Sequence, residues 1–204
     1  MAKQVHLQGP PPDYSTWSLK TKELDPRRLY RVSSHAAGEP YFGRIGDKRF
    51  DDPNADVAAR YGVCYLGTRL SAAFAETVLH NEMPIHGEFV IAETEFTRRF
   101  LVRFEGRLPL VLASFAGADL RSNGATAEIS TTPDYDLPQQ WSCAIHSHPT
   151  GVDGILYMSR QLNTGFAVAL FDRATAKLQS AAYTPLAKVR GMGRVLKQFR
   201  IRWI

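Results

Sequence analysis

Short apolar runs limit the folds open to this chain, because each is long enough for a strand and too short for a typical helix. Loops rich in glycine, proline and charged residues separate the runs. Several strands of this kind predict a sheet-rich protein. The predicted strands are residues 29–32, 63–67, 89–96, 100–104, 108–112, 154–159 and 165–171.

Helical periodicity is confined to a few segments. Apolar residues over 69–82 recur at the spacing of one helix face, which predicts an amphipathic helix. A second helix is predicted behind Pro138. The tail, 186–199, also follows a helical face, although Gly191 and Gly193 interrupt it. Strands outnumber helices and alternate with them irregularly, so the predicted fold class is α+β, with mixed and antiparallel sheets and flanking helices.

The length of 204 residues fits one domain with modest extensions. Residues 1–27 are predicted to be a proline-rich N-terminal extension, and 28–204 a single domain. The polar segment 116–137 is predicted to be largely loop. No run approaches the roughly 18 apolar residues of a membrane span, and no apolar core near the N-terminus suggests a secretory signal. We therefore expect no membrane contact.

The cysteines indicate the compartment of the protein, and its charge indicates which kinds of partner it could bind. Cys64 and Cys143 lie in apolar stretches and are expected to be buried thiols, which predicts a cytoplasmic protein. The net charge of +5 suits a nucleic acid, an anionic small molecule or an acidic partner, and charge alone does not choose among them. A nucleic-acid-binding module would need a helix-turn-helix or clustered aromatic residues, and neither is recognisable.

Two arginines are candidate anion ligands. Arg31 lies in the apolar run LYRV, where an unpaired charge would be costly. It either pairs with an acidic neighbour such as Glu76 or clamps a phosphate with its planar fork. Arg49, in the charged stretch DKRFDD, is by itself most simply a solvated loop residue.

Three further residues could carry chemistry. Tyr65 is either a core tyrosine or an aromatic platform for a flat heterocycle. Glu76 flanks the apolar face of its helix, and is either a surface residue or a carboxylate that stabilises the oxocarbenium centre of a breaking glycosidic bond. Ser159 ends a strand, where hydroxyls usually form turns. It lacks the G-x-S-x-G context of a serine hydrolase.

The run His146-Ser147-His148-Pro149 could supply two zinc ligands, as in JAMM-type metallopeptidases. Those enzymes need a serine and then an aspartate downstream. Here Ser159 is too far along, and Leu162 occupies the place of the aspartate. Without a third ligand, we predict no metal site.

The order of the blocks LYRV, KRFDDP, GVCYLGTRLSAAFAETVLH and DGILYMSR resembles the RES-domain family, named for an Arg, a Glu and a Ser. The resemblance covers residues 29–172. Lys48 replaces a glycine that often precedes the second arginine, and Met158 replaces a common proline; both changes affect loop geometry more than chemistry. The residues that match the family's site are Arg31, Arg49, Tyr65, Glu76 and Ser159.

The resemblance implies a fold like that of ADP-ribosyltransferases, with NAD as substrate and no other cofactor. It implies that Glu76, Ser159 and Arg31 are catalytic, and that these three bind NAD together with Arg49 and Tyr65. It also implies a bacterial toxin that degrades NAD, with water or phosphate as acceptor. A mono-ADP-ribosyltransferase, which modifies a protein, is the alternative. The expected partner is an antitoxin with a Xre-like helix-turn-helix region; direct nucleic-acid contact is not expected, and a homodimer is compatible with the resemblance.

Overall fold

The computed structural model describes residues 6–204, and within them the chain forms ten strands and seven α-helices joined by loops and single 3-10 turns. The strands are β1 (Thr21–Leu24), β2 (Arg31–Ser33), β3 (Val63–Gly67), β4 (Phe89–Ile91), β5 (Phe100–Phe104), β6 (Leu110–Phe115), β7 (Gly154–Met158), β8 (Phe166–Phe171), β9 (Ala181–Pro185) and β10 (Ile201–Trp203). The helices are α1 (Leu70–Val78), α2 (Glu93–Thr97), α3 (Gly117–Ser122), α4 (Glu128–Thr131), α5 (Asp136–His146), α6 (Thr175–Leu178) and α7 (Met192–Gln198).

The central sheet has five strands in the order β1-β6-β7-β8-β3. Its neighbours run antiparallel except for β6 and β7, which are parallel. Parallel strands need a long crossover connection, and here α3, α4 and α5 provide it. A second sheet, in the order β2-β5-β9, is antiparallel, and β4 pairs in parallel with β10.

Side chains of the central strands alternate between two apolar clusters, as the two-residue period of a strand requires. Ile155 of β7 packs in one cluster with Trp141 of α5. The adjacent Leu156 belongs to the other cluster, with Val102 of the second sheet. The central sheet is therefore covered by α5 on one face and by the second sheet on the other.

Helix α1 follows β3 almost at once and packs against it. This close approach depends on Gly67, because a Cβ atom there would lie 2.5 Å from the backbone nitrogen of Ala73. Phe74 of α1 is fully buried in a third apolar cluster with Val195 of α7. Burial of one such aromatic side chain contributes about 1.5–3 kcal/mol, so α1 is held rigidly at the edge of the central sheet.

The predicted α+β class and the mixed, antiparallel sheets are confirmed. Strands 63–67 and 100–104 have the predicted bounds. The strand predicted over 89–96 is wrong in its second half, since β4 ends at Ile91 and α2 begins at Glu93. The pairing of β4 with β10 covers only three residues, and Phe96 of α2 packs on Trp203 with ring centroids 5.0 Å apart.

Other segments are more ordered than predicted. Residues 116–137 contain α3 and α4, and the tail adds β9 and β10, which pattern alone did not indicate. The predicted extension, 1–27, includes β1, which pairs with β6 at the edge of the central sheet; residues 1–5 lie outside the described part. The division at residue 28 remains a prediction. Within residues 6–204, no helix combines the length and apolar composition that crossing a membrane requires.

Candidate active site

One cavity of about 430 Å³ collects four of the five predicted site residues. It lies between β2, β3, α1, the loop before residue 51 and the turn that follows β7. Four predicted residues line it, namely Arg31, Arg49, Tyr65 and Glu76, together with Tyr157 and Arg160. The fifth, Ser159, lies directly behind this wall. Residues that are far apart in the sequence therefore meet as the motif order predicts.

Glu76 is held by one of its two carboxylate oxygens. The Ser159 hydroxyl donates a hydrogen bond of 2.5 Å to Glu76 Oε1, and the backbone N–H of Gln161 donates to the same oxygen at 3.3 Å. No donor among residues 6–204 bonds to Oε2. The carboxylate is thus fixed in orientation, and one oxygen remains available to a ligand in the cavity.

Ser159 is fully buried, so its surroundings decide what its hydroxyl can do. The hydroxyl donates to Glu76 and accepts a bond of 3.0 Å from the backbone N–H of Leu162. In this geometry Ser159 does not line the cavity and reaches it only through Glu76. Its direct contact with NAD, which the family resemblance implies, stays a prediction.

Arg49 is buried, with 7 % of its surface exposed, so its interpretation as a solvated loop residue is wrong. Its guanidinium lies 4.8 Å from the ring centroid of Tyr135, and Nη1 donates to the carbonyl of Ile129 at 3.4 Å. No carboxylate within residues 6–204 forms an ion pair with it. Burial lowers the pKa of Arg49. A buried arginine without a counter-ion, at the wall of a cavity, is suited to bind an anion.

The loop that carries Arg49 is clamped by α5. Gln139 Nε2 donates to the carbonyls of Gly46 and Lys48 at 3.0 and 2.9 Å, and the Ser142 hydroxyl donates to the carbonyl of Phe50 at 2.6 Å. Sequence reasoning did not find Gln139 or Ser142. The available signal was weak: both are polar residues at the inner positions of an otherwise amphipathic helix.

Tyr65 has a satisfied hydroxyl, as expected of a core tyrosine, and its role as an aromatic platform stays a prediction. Its hydroxyl donates to Asp51 Oδ1 at 2.9 Å and accepts from the Phe50 N–H at 2.9 Å. The residue also lines the cavity, so an aromatic side chain is available there. Burial raises the pKa of Asp51 and raises that of Tyr65 well above its usual value. The pair ties the Arg49 loop to β3.

Arg31 has an acidic partner, which is Glu39 and not Glu76 as the sequence suggested. The distance from Arg31 Nε to Glu39 Oε2 is 2.6 Å, and Nη1 donates to the Tyr65 carbonyl at 2.9 Å. The Glu39 side chain is 3 % exposed, so the ion pair is shielded from water. Arg31 lines the cavity, but its charge is already balanced.

The two histidines of the HSHP run have separate local roles. His146 stacks on Tyr61 at 3.9 Å, and burial lowers its pKa to about 4. His148 Nδ1 lies 2.8 Å from Thr150 Oγ1. Across the described residues 6–204, no three His, Cys, Asp or Glu side chains are grouped so as to hold a metal ion. Cys64 and Cys143 are free thiols, the first buried and the second half-buried.

The α+β fold brings a carboxylate, a buried arginine and tyrosines together around one cavity. The chain belongs to the RES domain family, whose model matches residues 28–189. This confirms the family that the sequence blocks indicated.

Two comparisons agree with this assignment. The probable toxin y4kH of Sinorhizobium fredii is 34% identical over 121 residues, which cover 56% of this chain and 91% of that protein. The crystal structure of the M. tuberculosis MbcT–MbcA toxin–antitoxin complex contains a chain with the same fold, at a TM-score of 0.53 and 12% identity. That match covers 89% of this chain and 90% of the other. The chain is thus a RES-domain protein that is similar to a probable toxin and shares its fold with a chain of a toxin–antitoxin complex.

Proposed function

We propose that this protein is the toxin of a toxin–antitoxin pair and that it depletes NAD by cleaving the bond between nicotinamide and ribose. The observation that carries the proposal is the hydrogen bonding of the Glu76 carboxylate. Ser159 and Gln161 fix one carboxylate oxygen, and no donor within residues 6–204 bonds to the other. Glu76 also lines the cavity. A pre-oriented carboxylate is what a reaction with a developing positive charge requires.

The reaction depends on a negatively charged carboxylate, and it does not depend on a proton donor for the leaving group. When the C1′–N bond breaks, its electron pair goes to the pyridinium nitrogen, and nicotinamide leaves as a neutral molecule. Positive charge develops at the ribose C1′ carbon, where Glu76 would stabilise it. This attraction is stronger in the transition state than in the ground state, so it lowers the barrier. The oxygen of water or of inorganic phosphate then bonds to C1′, and water releases one proton to the solvent as it does so.

Binding of NAD would use the rest of the cavity. Arg49, which is buried and has no ion-pair partner in the described part of the chain, would bind the diphosphate. Tyr65 would offer an aromatic surface to the flat nicotinamide ring. No further cofactor is proposed. Transfer to a protein side chain would use the same half of the site, and it is the second candidate activity.

We also propose a cognate antitoxin with a Xre-like helix-turn-helix region, because a free NAD-consuming enzyme would harm its own cell. The toxin of matching fold was crystallised in a toxin–antitoxin complex, which supports this partner. The proposed setting is the cytoplasm, where NAD is available. A homodimer stays a prediction, and light scattering on the purified toxin would test it.

The deciding experiment is nicotinamide release from NAD by protein freed of any antitoxin. Release in phosphate-free buffer indicates a glycohydrolase, and release that requires phosphate indicates a phosphorylase. Release only with a protein acceptor would favour the ADP-ribosyltransferase. We expect activity to persist in a chelator. Activity lost to the chelator and restored by zinc would overturn the proposed metal-free mechanism.

A further inference from the structure

The cationic residues of the cavity differ in whether their charges are already paired. Of the four arginine and lysine residues that line it, two have carboxylate partners: Arg31 pairs with Glu39, and Lys48 Nζ lies 3.2 Å from Asp47. Arg49 and Arg160 have no ion-pair partner among residues 6–204. The cations of the cavity that lack an ion-pair partner in the described residues are therefore one buried and one exposed arginine, and Glu76 is among the carboxylates of the same lining.

Arg160 stands in the turn that holds Glu76, and its backbone is fixed on both sides. The Ser159 N–H donates to the Gly165 carbonyl at 3.0 Å, and the Leu162 N–H donates to the Ser159 hydroxyl at 3.0 Å. The Gln161 N–H donates to Glu76. An exposed guanidinium is thus carried on a hydrogen-bonded turn, beside the carboxylate proposed to act in the reaction.

The two arginines also interact with each other. Burial is the main cause that lowers the pKa of Arg49, and the positive charge of Arg160 lowers it further. Two like charges that repel each other across a cavity are stabilised when an anion lies between them. Two guanidinium forks suit a ligand with two linked phosphate groups, because each fork can bind phosphate oxygens bidentately.

We propose that Arg160 and Arg49 form the diphosphate-binding site of the cavity, and that Arg31 is a positioning residue. The proposal rests on the proposed function, and it changes the division of roles that the sequence suggested, in which Arg31 and Arg49 bind the phosphates. Arg31 instead holds the Glu39 segment and the Tyr65 carbonyl in place. The turn after β7 then serves two purposes, because Ser159 and Gln161 orient Glu76 and Arg160 anchors the phosphates.

The test is Arg160→Ala, a variant expected to fold because the side chain is exposed and the turn's hydrogen bonds are made by its neighbours. We expect ADP-ribose binding, measured by calorimetry, to weaken about tenfold, as for loss of a hydrogen bond to a charged group. KM for NAD should rise by about the same factor, with kcat within about twofold. Cleavage of nicotinamide riboside, which lacks phosphates, should be unchanged. Arg107→Ala, at an exposed arginine outside the cavity, is the matched control.

The outcomes separate this proposal from the proposed function. If the wild type cleaves NAD and Arg160→Ala binds ADP-ribose normally, the arginine pair is overturned and the NAD reaction stands. If the wild type releases no nicotinamide but Arg160→Ala weakens binding of ADP-ribose and inorganic pyrophosphate, the reaction fails and the anion site stands. Equal losses for NAD and nicotinamide riboside would also overturn the pair, because they would indicate a disturbed Glu76.

Discussion

At the scale of single residues, Glu76 is expected to affect turnover far more than binding. Glu76→Gln keeps the shape and can still accept the hydrogen bond from Ser159, but it removes the charge. Loss of one preorganised electrostatic contact commonly lowers the rate about 10²–10³-fold. We expect kcat for NAD cleavage to fall by this factor, with ADP-ribose affinity nearly unchanged by calorimetry. Glu82→Gln, at an exposed residue just beyond α1, is the control, and near-normal turnover of Glu76→Gln would refute the role.

The Arg31–Glu39 pair makes a prediction about stability. Arg31→Ala leaves a carboxylate that is 3 % exposed without its partner, and breaking a buried pair in this way costs about 3–5 kcal/mol. Removing both charges in Arg31→Ala/Glu39→Ala should cost less than Arg31→Ala alone. Urea denaturation of the four proteins in this cycle measures the coupling. Additive changes in the free energy of unfolding would mean that the two side chains are not energetically coupled.

At the scale of elements, α5 supports the site without contributing a residue to the proposed chemistry. Gln139→Ala removes two hydrogen bonds that hold the Arg49 loop. Since Arg49 is proposed to bind phosphate, we expect KM for NAD to rise severalfold while kcat changes less. Gln140→Ala, at the next and exposed position of α5, is the control. Equal kinetics for the two variants would show that the loop holds its position without Gln139.

The elements also explain why some predictions from sequence succeeded. Strands β3 and β5 were predictable because a run of five residues with at most one charge is typical of a buried strand. Strands β4 and β10 are three residues each and form only because they pair with one another. Such short strands have little local preference, so their existence depends on a partner more than 100 residues away in the chain.

At the scale of the whole molecule, the proposed reaction predicts an effect on the cell that makes it. Expression of the protein alone should stop growth and lower cellular NAD, because a free enzyme of this kind consumes a shared metabolite. Co-expression with the cognate antitoxin should give a stable and inactive complex. Cells that express Glu76→Gln alone should grow and keep their NAD, which separates catalysis from the burden of expression. Harmless accumulation of the wild-type protein with normal NAD would contradict the toxin assignment.

The sequence by itself determined the family and the α+β class, and it named four residues that the fold brings to one cavity. Arg49, Tyr65 and Glu76 could be named in advance because each sits within a block whose order and local pattern identify the family. These are local properties, since apolar periodicity and motif spacing depend on neighbours along the chain.

Only the tertiary structure decided which charged side chains of the site are ion-paired and which are not. Arg31 pairs with Glu39 across a loop, Arg49 is buried with no ion-pair partner among residues 6–204, and Arg160 lines the same cavity from the turn that holds Glu76. A charged side chain can be paired or unpaired with the same local sequence. The difference is set by which distant segments the folded chain brings within about 4 Å, where the energy of an ion pair becomes significant.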